Sequence, residues 1–174
     1  MTATLQLPNP SEALEEDAAR LAFSAILDLR VSDEDIAGFL TSLSERGETS
    51  VEIAAAAREL RARMMPINAP SGTIDVCGTG GDGHHSLNVS TAVAIIVAAC
   101  GVPVAKHGNR AMSSKSGAAD VLEALGVKLT GDRTVLERCL HEAGIAFLFA
   151  QNHHPAMRHV APVLLGERER VADR

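Results

Sequence analysis

The chain has 174 residues, of which 46% are hydrophobic, and it carries a formal net charge of −6 at pH 7. This length is enough for one domain with a smaller appendage, and the core must be aliphatic because four phenylalanines are the only aromatic residues. The acidic balance argues against a general surface for binding nucleic acid or membranes.

The cysteines and the N-terminus predict a cytoplasmic protein. Cys77, Cys100 and Cys139 are odd in number and none has C-x-x-C spacing, which argues against a disulfide framework or a structural zinc site. The opening stretch MTATLQLPNPSEALEED lacks the basic and apolar segments of a signal peptide. The longest apolar run, AVAIIVAACGVPVA, is too short to span a bilayer.

The first 65 residues predict three helices. One face of the first helix, over residues 11–30, carries Leu14, Ala18, Leu21, Ala25 and Leu29. The second helix begins after Ser32 as its N-cap and ends at Gly47. Thr49 and Glu52 form a capping-box pattern that starts the third helix, which reaches about Met64.

These helices predict a helical domain over residues 1–69. Their apolar faces have little local sheet to cover them, so we expect self-association through this domain. The turn-rich stretch MPINAPSG then marks a boundary, and residues 70–174 form a second domain.

The second domain alternates predicted strands and helices. Three short buried strands are expected at TIDVC, VPVA and IAFLFA. The helices expected with them are STAVAIIVAAC, AADVLEAL, DRTVLERCLHEAG and a segment from Ala156 to Leu165, with Gly101, Gly126 and Gly144 as stops. This alternation predicts a mainly parallel α/β sheet, which three strands would leave thin.

A glycine-rich loop follows the first predicted strand, in DVCGTGGDGHHSLNVSTA, residues 75–92. Its exposed backbone N–H groups and the following helix N-terminus can bind an anion, whereas the simplest alternative is a tight turn without a ligand. The loop also matches G-x-G-x-x-G, but a dinucleotide site needs an acidic residue at the end of the second strand. That strand ends in Lys106, His107 and Gly108, which favours phosphate over a ribose diol.

Asp82 adds a carboxylate beside this predicted phosphate site. Such a carboxylate is repelled by phosphates unless Mg²⁺ or ribose hydroxyls lie between them. The loop KHGNRAMSSKSG follows the next strand, and loops after successive parallel strands meet at one sheet edge, so we expect the two loops to act together. The adjacent pairs His84–His85 and His153–His154 lack the spacing of metal ligands, so we expect surface or capping roles for them. Cys77 is expected to be a small buried residue.

Four stretches resemble the anthranilate phosphoribosyltransferase family. GTGGD, NVST, KHGNRAMSSKSGAADVLEALG and HPAMRHVAPV match its motifs in order, over about residues 10–163. The resemblance implies a small helical dimerisation domain, which forms a homodimer, and a partial, mainly parallel α/β domain of the nucleoside-phosphorylase-like type. It implies transfer of phosphoribosyl from phosphoribosyl pyrophosphate to the amine of anthranilate, in tryptophan biosynthesis, with Mg²⁺.

The resemblance also implies which residues bind the substrates. Those expected to contact phosphoribosyl pyrophosphate are Gly78, Gly81, Asp82, Ser86, Asn88, Val89, Ser90, Thr91, Lys106, His107, Gly108, Asn109, Arg110, Ala111, Met112, Ser113, Ser114 and Ala118. Gly78 and Asn109 would also face anthranilate, and Ser90 would also bind Mg²⁺.

The sequence departs from the family pattern at positions that bear on activity. Ala118 stands where many members have a donor-binding serine, and Leu164 stands where the family has an arginine that contacts anthranilate. The family's later strands and its Asp-Glu metal pair have no counterpart here, so we predict that the chain alone is a poor enzyme. The alternatives are a non-catalytic remnant that binds phosphates or a partner, and a related pyrimidine-nucleoside phosphorylase.

Overall fold

The structure is a computed structural model, and it describes residues 5–78, 88–110, 117–158 and 160–163. These residues form two compact units. The first holds the described residues up to Met64 together with those from His154 onward, and the second is Met65–His153. The sequence predicted a division at residues 69 and 70 and assigned the segment after His153 to the α/β domain, whereas the structure groups that segment with the helices.

The first unit contains three helices, α1 (Glu16–Leu27), α2 (Asp33–Arg46) and α3 (Ser50–Arg63). The predicted helix starts at α2 and α3 are confirmed. The Ser32 hydroxyl accepts a hydrogen bond from the Asp35 N–H, and Thr49 and Glu52 form a complete capping box before α3.

The predicted buried face of α1 is wrong in part. Leu21 and Leu29 are about half exposed, whereas the residues of this helix that are buried are Ala19, Ala22, Ala25, Ile26 and Leu27. Apolar residues occur on two sides of α1, so its periodicity fits two different inner faces, and the structure uses the one rich in alanine. The small side chains of that face let α1 pack closely against α3.

The core of the first unit is aliphatic, as the composition predicted. Ile26, Ile36 and Leu43 are fully buried in it, and Phe23 packs edge to face on Phe39 with ring centroids 6.1 Å apart. Val160, from the segment after the second unit, is buried in the same core. Residues 157–158 and 160–163 are helical, in agreement with the sequence prediction for this segment.

The second unit contains α4 (Val89–Ala99), β1 (Val104–Gly108), α5 (Ala118–Ala124), α6 (Arg133–Ala143), β2 (Ile145–Phe149) and α7 (Ala150–His153). The two strands are parallel, in a register that pairs Val104 with Ile145 and Gly108 with Phe149. Leu136 and Leu140 of α6 pack with Ala146 and Leu148 of β2 to form the core. Helices α4 and α6 pack against this parallel pair, in agreement with the predicted α/β class.

The strands differ from the prediction in two respects. The predicted strand TIDVC is reduced to an isolated bridge, in which Ile74 pairs with Val104. The strand predicted at VPVA instead runs from Val104 through Lys106 to Gly108, because parallel pairing with β2 continues along these residues. Lys106, His107 and Gly108 therefore lie within β1, and the polar loop begins after them.

The predicted helix stops are confirmed. Gly47, Gly101, Gly126 and Gly144 all have positive φ, and Gly144 adopts the left-handed conformation at the end of α6 that favours glycine. Among the helices of the described segments, none is long and apolar enough to cross a membrane.

Candidate functional site

The described residues among those predicted to bind the substrates all belong to the second unit, before the glycine loop or at the ends of α4, β1 and α5. Those in the described residues are Gly78, Asn88, Val89, Ser90, Thr91, Lys106, His107, Gly108, Asn109, Arg110 and Ala118. Those outside the described residues are Gly81, Asp82, Ser86, Ala111, Met112, Ser113 and Ser114, as well as Leu164.

Asp75 joins the segment before the glycine loop to β1. Its Oδ1 accepts a hydrogen bond of 3.1 Å from the backbone N–H of His107, and its Oδ2 lies 3.2 Å from Nδ1 of the His107 ring. A carboxylate only accepts hydrogen bonds at neutral pH, so the ring nitrogen that faces it carries the proton. This contact fixes the tautomer of His107 and brings the described ends of the two predicted loops together.

The side chain of Lys106, a residue within β1, contacts the same two segments. Its ammonium group donates to the backbone carbonyls of Val76, at 3.1 Å, and of His107, at 3.0 Å. The side chain is almost completely buried. Burial lowers the pKa of Lys106, and the negative charge of nearby Asp75 opposes that shift. Sequence analysis predicted a cation at the end of this strand, and the structure places it within the strand, beside both segments.

His153 packs against His107 and is buried, although the sequence predicted a surface or capping role for it. Its Nδ1 lies 3.2 Å from the carbonyl oxygen of Met65, so Nδ1 is the protonated nitrogen. Its buried Nε2 has no hydrogen-bond partner within the described part of the chain. Burial lowers the pKa of His153, and its ring packs edge to face on His107 with centroids 5.8 Å apart. The His107 ring therefore packs against the imidazole of His153, which is neutral at pH 7.

Cys77 is exposed, so the prediction that it is buried is wrong. It lies beyond the isolated bridge at Ile74, where the predicted strand no longer pairs. Desolvation by its neighbours and the hydrogen bond to Asp75 raise the pKa of its thiol. A thiol with a raised pKa is a poor nucleophile at neutral pH.

The first turn of α4 presents hydroxyl groups at a helix N-terminus. Asn88 precedes the helix, and Ser90 and Thr91 lie in its first turn. The Thr91 side chain is buried, yet its Oγ1 has no hydrogen-bond partner in the ranges that the structure describes. Buried hydroxyls without a partner are rare in folded proteins and need an explanation, such as a ligand. The helix N-terminus adds a partial positive charge at the same place.

Arg110 follows β1 and points its charge toward α5. Its guanidinium group pairs with Glu123 at 2.6 Å and with Asp120 at 3.2 Å, and it lies over the Phe149 ring. Asn109 forms a short-range contact, in which its Oδ1 accepts from the Arg110 N–H at 2.9 Å. Arg110 therefore does not face the Asp75–Lys106 cluster, and in this conformation its charge is balanced by α5.

Gly108 and Gly78 differ in what surrounds them. A Cβ at Gly108 would lie 2.6 Å from Cε2 of Phe147 and 3.0 Å from the Cβ of Ala118, so only glycine fits there. A Cβ at Gly78 would have no atom of the described residues within 4 Å. Packing within the described residues therefore explains the glycine at 108 and gives no reason for the glycine at 78.

The described residues of the site offer hydrogen-bond donors to an anion. No group of three His, Cys, Asp or Glu side chains suitable for a metal lies in residues 5–78, 88–110, 117–158 and 160–163. A lysine, a helix N-terminus and the hydroxyl groups of its first turn instead provide donors for phosphate oxygens.

Two family models match the chain. The α/β domain of a glycosyl transferase family matches residues 71–166, and the helical bundle domain of the same family matches residues 9–64. The first match alone covers more than half of the chain. The chain belongs to this glycosyl transferase family.

Curated members of the glycosyl transferase family extend the comparison. The anthranilate phosphoribosyltransferase of Novosphingobium aromaticivorans is 62% identical over 164 residues, which are 93% of this chain and 50% of that protein. The enzyme of the same name from Azospirillum brasilense is 54% identical over 97% of this chain and 47% of its own length. The resemblance seen in the motifs is thus confirmed, and the chain spans about half the length of the curated relatives it matches.

Solved structures of the family share the fold. The anthranilate phosphoribosyltransferase of Thermus thermophilus matches with a TM-score of 0.84 and 47% identity, over 90% of this chain and 48% of that one. The Saccharomyces cerevisiae enzyme in complex with PRPP and Mg matches with a TM-score of 0.77 and 28% identity, over 88% of this chain and 47% of its own. The predicted helical domain followed by a parallel α/β domain is confirmed.

Sequence reasoning assigned no role in the site to Asp75 or His153. The signal for Asp75 was a charged residue inside a predicted buried strand, TIDVC, since a carboxylate in such a place needs a partner. His153 gave no comparable signal, because its burial depends on Met65, which is distant in sequence.

Proposed function

We propose that this chain contains the phosphoribosyl-donor site of an anthranilate phosphoribosyltransferase. The reaction would transfer phosphoribosyl from phosphoribosyl pyrophosphate to the amine of anthranilate, a step in tryptophan biosynthesis in the cytoplasm. The observation that carries the proposal is Lys106, whose buried ammonium joins the segment before the glycine loop to β1. The names of relatives at 54–62% identity support the substrate assignment.

The proposed reaction needs charge stabilisation more than acid–base chemistry. Displacement at the anomeric carbon leaves negative charge on the departing pyrophosphate, and the amine of anthranilate already has a lone pair. The residues that suit this task are the Lys106 ammonium, the N–H groups at the start of α4 and the Thr91 hydroxyl, which has no partner among the described residues. Gly78 and Asn109 would face anthranilate, and Ala118 would lie beside the donor.

Mg²⁺ fits this set of residues. Ser90 provides a hydroxyl oxygen, the kind of ligand that Mg²⁺ prefers, and Mg²⁺ commonly takes few protein ligands because phosphates and water complete its shell. The bound ion would neutralise charge on the pyrophosphate. The yeast relative solved with PRPP and Mg supports this assignment.

Donor binding is tested by calorimetry. We expect phosphoribosyl pyrophosphate or pyrophosphate with Mg²⁺ to bind better than NAD, because β1 ends in basic rather than acidic residues. Lys106→Met should weaken donor binding by about tenfold or more, from the loss of one charge-assisted contact. Lys128→Met is the matched control, because Lys128 is exposed on the loop after α5. Preferential binding of NAD would overturn the proposal.

Turnover is a separate question, because the relatives are about twice as long as this chain. We expect little activity from the isolated chain with anthranilate and phosphoribosyl pyrophosphate. The loss of an arginine–carboxylate contact at position 164 should alone cost roughly 10–150-fold in substrate binding. Leu164→Arg alone should not restore turnover. Donor binding without turnover would favour the alternative of a non-catalytic remnant. Family-like turnover by the isolated chain would contradict both that alternative and the prediction of little activity.

A further inference from the structure

The carboxyl end of β1 is joined to α5 by a group of charged side chains. The Arg110 guanidinium group donates to both carboxylate oxygens of Glu123, from Nη1 at 2.6 Å and from Nη2 at 3.1 Å. Nη1 also donates to Oδ1 of Asp120 at 3.2 Å. The guanidinium group lies over the Phe149 ring at the end of β2, 5.8 Å from the ring centroid. We call these four residues the Arg110 clasp.

The backbone beside Arg110 is held against α5 as well. The carbonyl oxygen of Asn109 accepts a hydrogen bond of 3.2 Å from the Ala119 N–H. Oδ2 of Asp120 accepts another, of 2.7 Å, from the Gly117 N–H just before α5. The clasp therefore closes at the point where the backbone of residue 109 meets the first turn of α5.

The contact with Glu123 has the geometry of a positioning contact. Two guanidinium nitrogens meet the two oxygens of one carboxylate, an arrangement that fixes direction as well as distance. The Arg110 side chain is half exposed. An exposed ion pair contributes little to the stability of a whole domain, so we expect its effect at the junction of β1 and α5.

The charge around Arg110 disfavours a direct contact with donor phosphates. One guanidinium group faces two carboxylates, so the clasp carries a net negative charge at neutral pH. A phosphate that approached Arg110 would be repelled by Asp120 and Glu123. Lys106 differs, because its described hydrogen bonds go to uncharged backbone carbonyls.

We propose that Arg110 is a positioning residue, which holds the end of β1 and the backbone of Asn109 against α5, and that Glu123 is the partner it requires. The consequence for the donor rests on the proposed function. A clasp that holds Asn109 in place keeps the end of β1 preorganised, so its loss weakens donor binding without removing a donor contact.

Calorimetry with pyrophosphate and Mg²⁺ tests this role through Glu123. Glu123→Gln should weaken binding by about two- to fivefold, because an exposed ion pair is lost. If Arg110 contacted the donor directly, the same variant would bind more tightly, since it frees the guanidinium group and removes a repelling charge. Glu16→Gln is the matched control and should leave binding unchanged, because Glu16 forms an exposed pair with Arg58 in the first unit.

A charge swap separates the ion pair from its individual charges. Arg110→Glu alone should weaken pyrophosphate binding more than Glu123→Gln does, because it places three carboxylates together. Adding Glu123→Arg should recover most of that loss, since the pair forms again in reverse and the net charge of the clasp is that of the unsubstituted chain. A direct donor contact would not be recovered, because the positive charge would no longer be at position 110.

Hydrogen exchange tests the clasp without a ligand. In Glu123→Gln the Ala119 amide, which donates to Asn109, should exchange about two- to fivefold faster, whereas the amide of Leu140, buried in α6, should keep its rate. This measurement still decides the proposal if the unsubstituted chain does not bind pyrophosphate, a result that would contradict the proposed function alone. Unchanged Ala119 exchange, tighter pyrophosphate binding by Glu123→Gln, or no recovery in a folded swap variant would overturn the proposal.

Discussion

The carboxylate of Asp75 binds His107 at both its backbone and its ring. Oδ1 accepts from the His107 backbone N–H at 3.1 Å, and Oδ2 lies 3.2 Å from ring Nδ1. One carboxylate thus sets the position of β1 relative to the glycine-loop segment and also sets which ring nitrogen is protonated. This makes Asp75 a positioning residue for the candidate donor site.

Replacing Asp75 should release the His107 tautomer. In the unsubstituted chain, ¹⁵N NMR at a pH where the imidazole is neutral should show the proton on Nδ1. In Asp75→Ala, His107 should show the mixture of tautomers of an unconstrained histidine. Asp75→Asn keeps an oxygen acceptor, so it should retain part of the preference for the proton on Nδ1. His141, exposed on α6, serves as an internal control. An unchanged His107 tautomer in folded Asp75→Ala would show that the contact does not orient the ring.

Gly108 and Gly78 should respond differently to alanine. Gly108→Ala places a methyl group against the Phe147 ring and should lower the free energy of unfolding by about 1–3 kcal/mol, as overpacking does. Gly78→Ala should change it by less than about 0.5 kcal/mol, because no described residue has an atom within 4 Å of a Cβ placed there. Urea unfolding measures both. In a double-mutant cycle, Gly108→Ala should cost less stability when Phe147 is replaced by leucine, because the smaller side chain leaves room for the methyl group. Equal costs in the two backgrounds would argue against a clash between the added methyl group and the Phe147 ring.

Glu52 should make the stability of the first unit depend on pH in the acid range. Its side chain is 1% exposed. Burial alone would raise its pKa, but hydrogen bonds from Arg46, Thr49 and the Leu14 N–H outweigh burial and lower the pKa from 4.5 to about 2. The ionised Glu52 carboxylate therefore stabilises the folded chain at pH values above 4.5, the pKa of the group in the unfolded chain. This stability is lost as the pH falls toward 2, the pKa of the group in the folded chain.

The test compares the unsubstituted chain with Glu52→Gln. At pH 7 the variant should be less stable by about 1–3 kcal/mol, since Arg46 loses its charged partner. Between pH 5 and pH 2, about the span of the two pKa values, the difference should shrink. A difference that stays constant with pH would mean that the packing of the side chain, rather than its charge, accounts for the loss.

Leu21 should mediate self-association of the helical unit. It is 53% exposed on α1, outside the face that α1 buries within the chain. If the proposed homodimer forms through these helices, Leu21→Asp should raise its dissociation constant by about tenfold or more, as measured by analytical ultracentrifugation. Leu125→Asp, at an exposed apolar residue of the second unit, is the control for non-specific association. A clean monomer at high concentration without any substitution would contradict the dimer.

Local chemistry made parts of this fold predictable. The caps at Ser32 and Thr49 and the stops at Gly126 and Gly144 depend on neighbouring residues, so the sequence alone identifies them. The inner face of α1 was not predictable in the same way. Leu21 and Ile26 lie on different sides of that helix, and only packing in the folded unit selects between them.

The candidate site shows the same contrast. Basic residues at the end of the second strand were visible in the sequence, and so was the likeness to phosphoribosyltransferases. The contact of Asp75 with His107 joins residues 32 positions apart, and the burial of His153 depends on Met65, 88 positions away. Contacts of that separation depend on how segments distant in sequence pack together, which the sequence predicted only in outline.

Val160 has a consequence for how the protein forms during synthesis. It completes the core of the helical unit, yet about one hundred residues separate it from the end of α3 at Arg63. A ribosome must therefore make the whole of Met65–His153 before the first unit can close. Until then the surface of α1–α3 that receives Val160 stays open, which makes the nascent helices a target for chaperones and proteases.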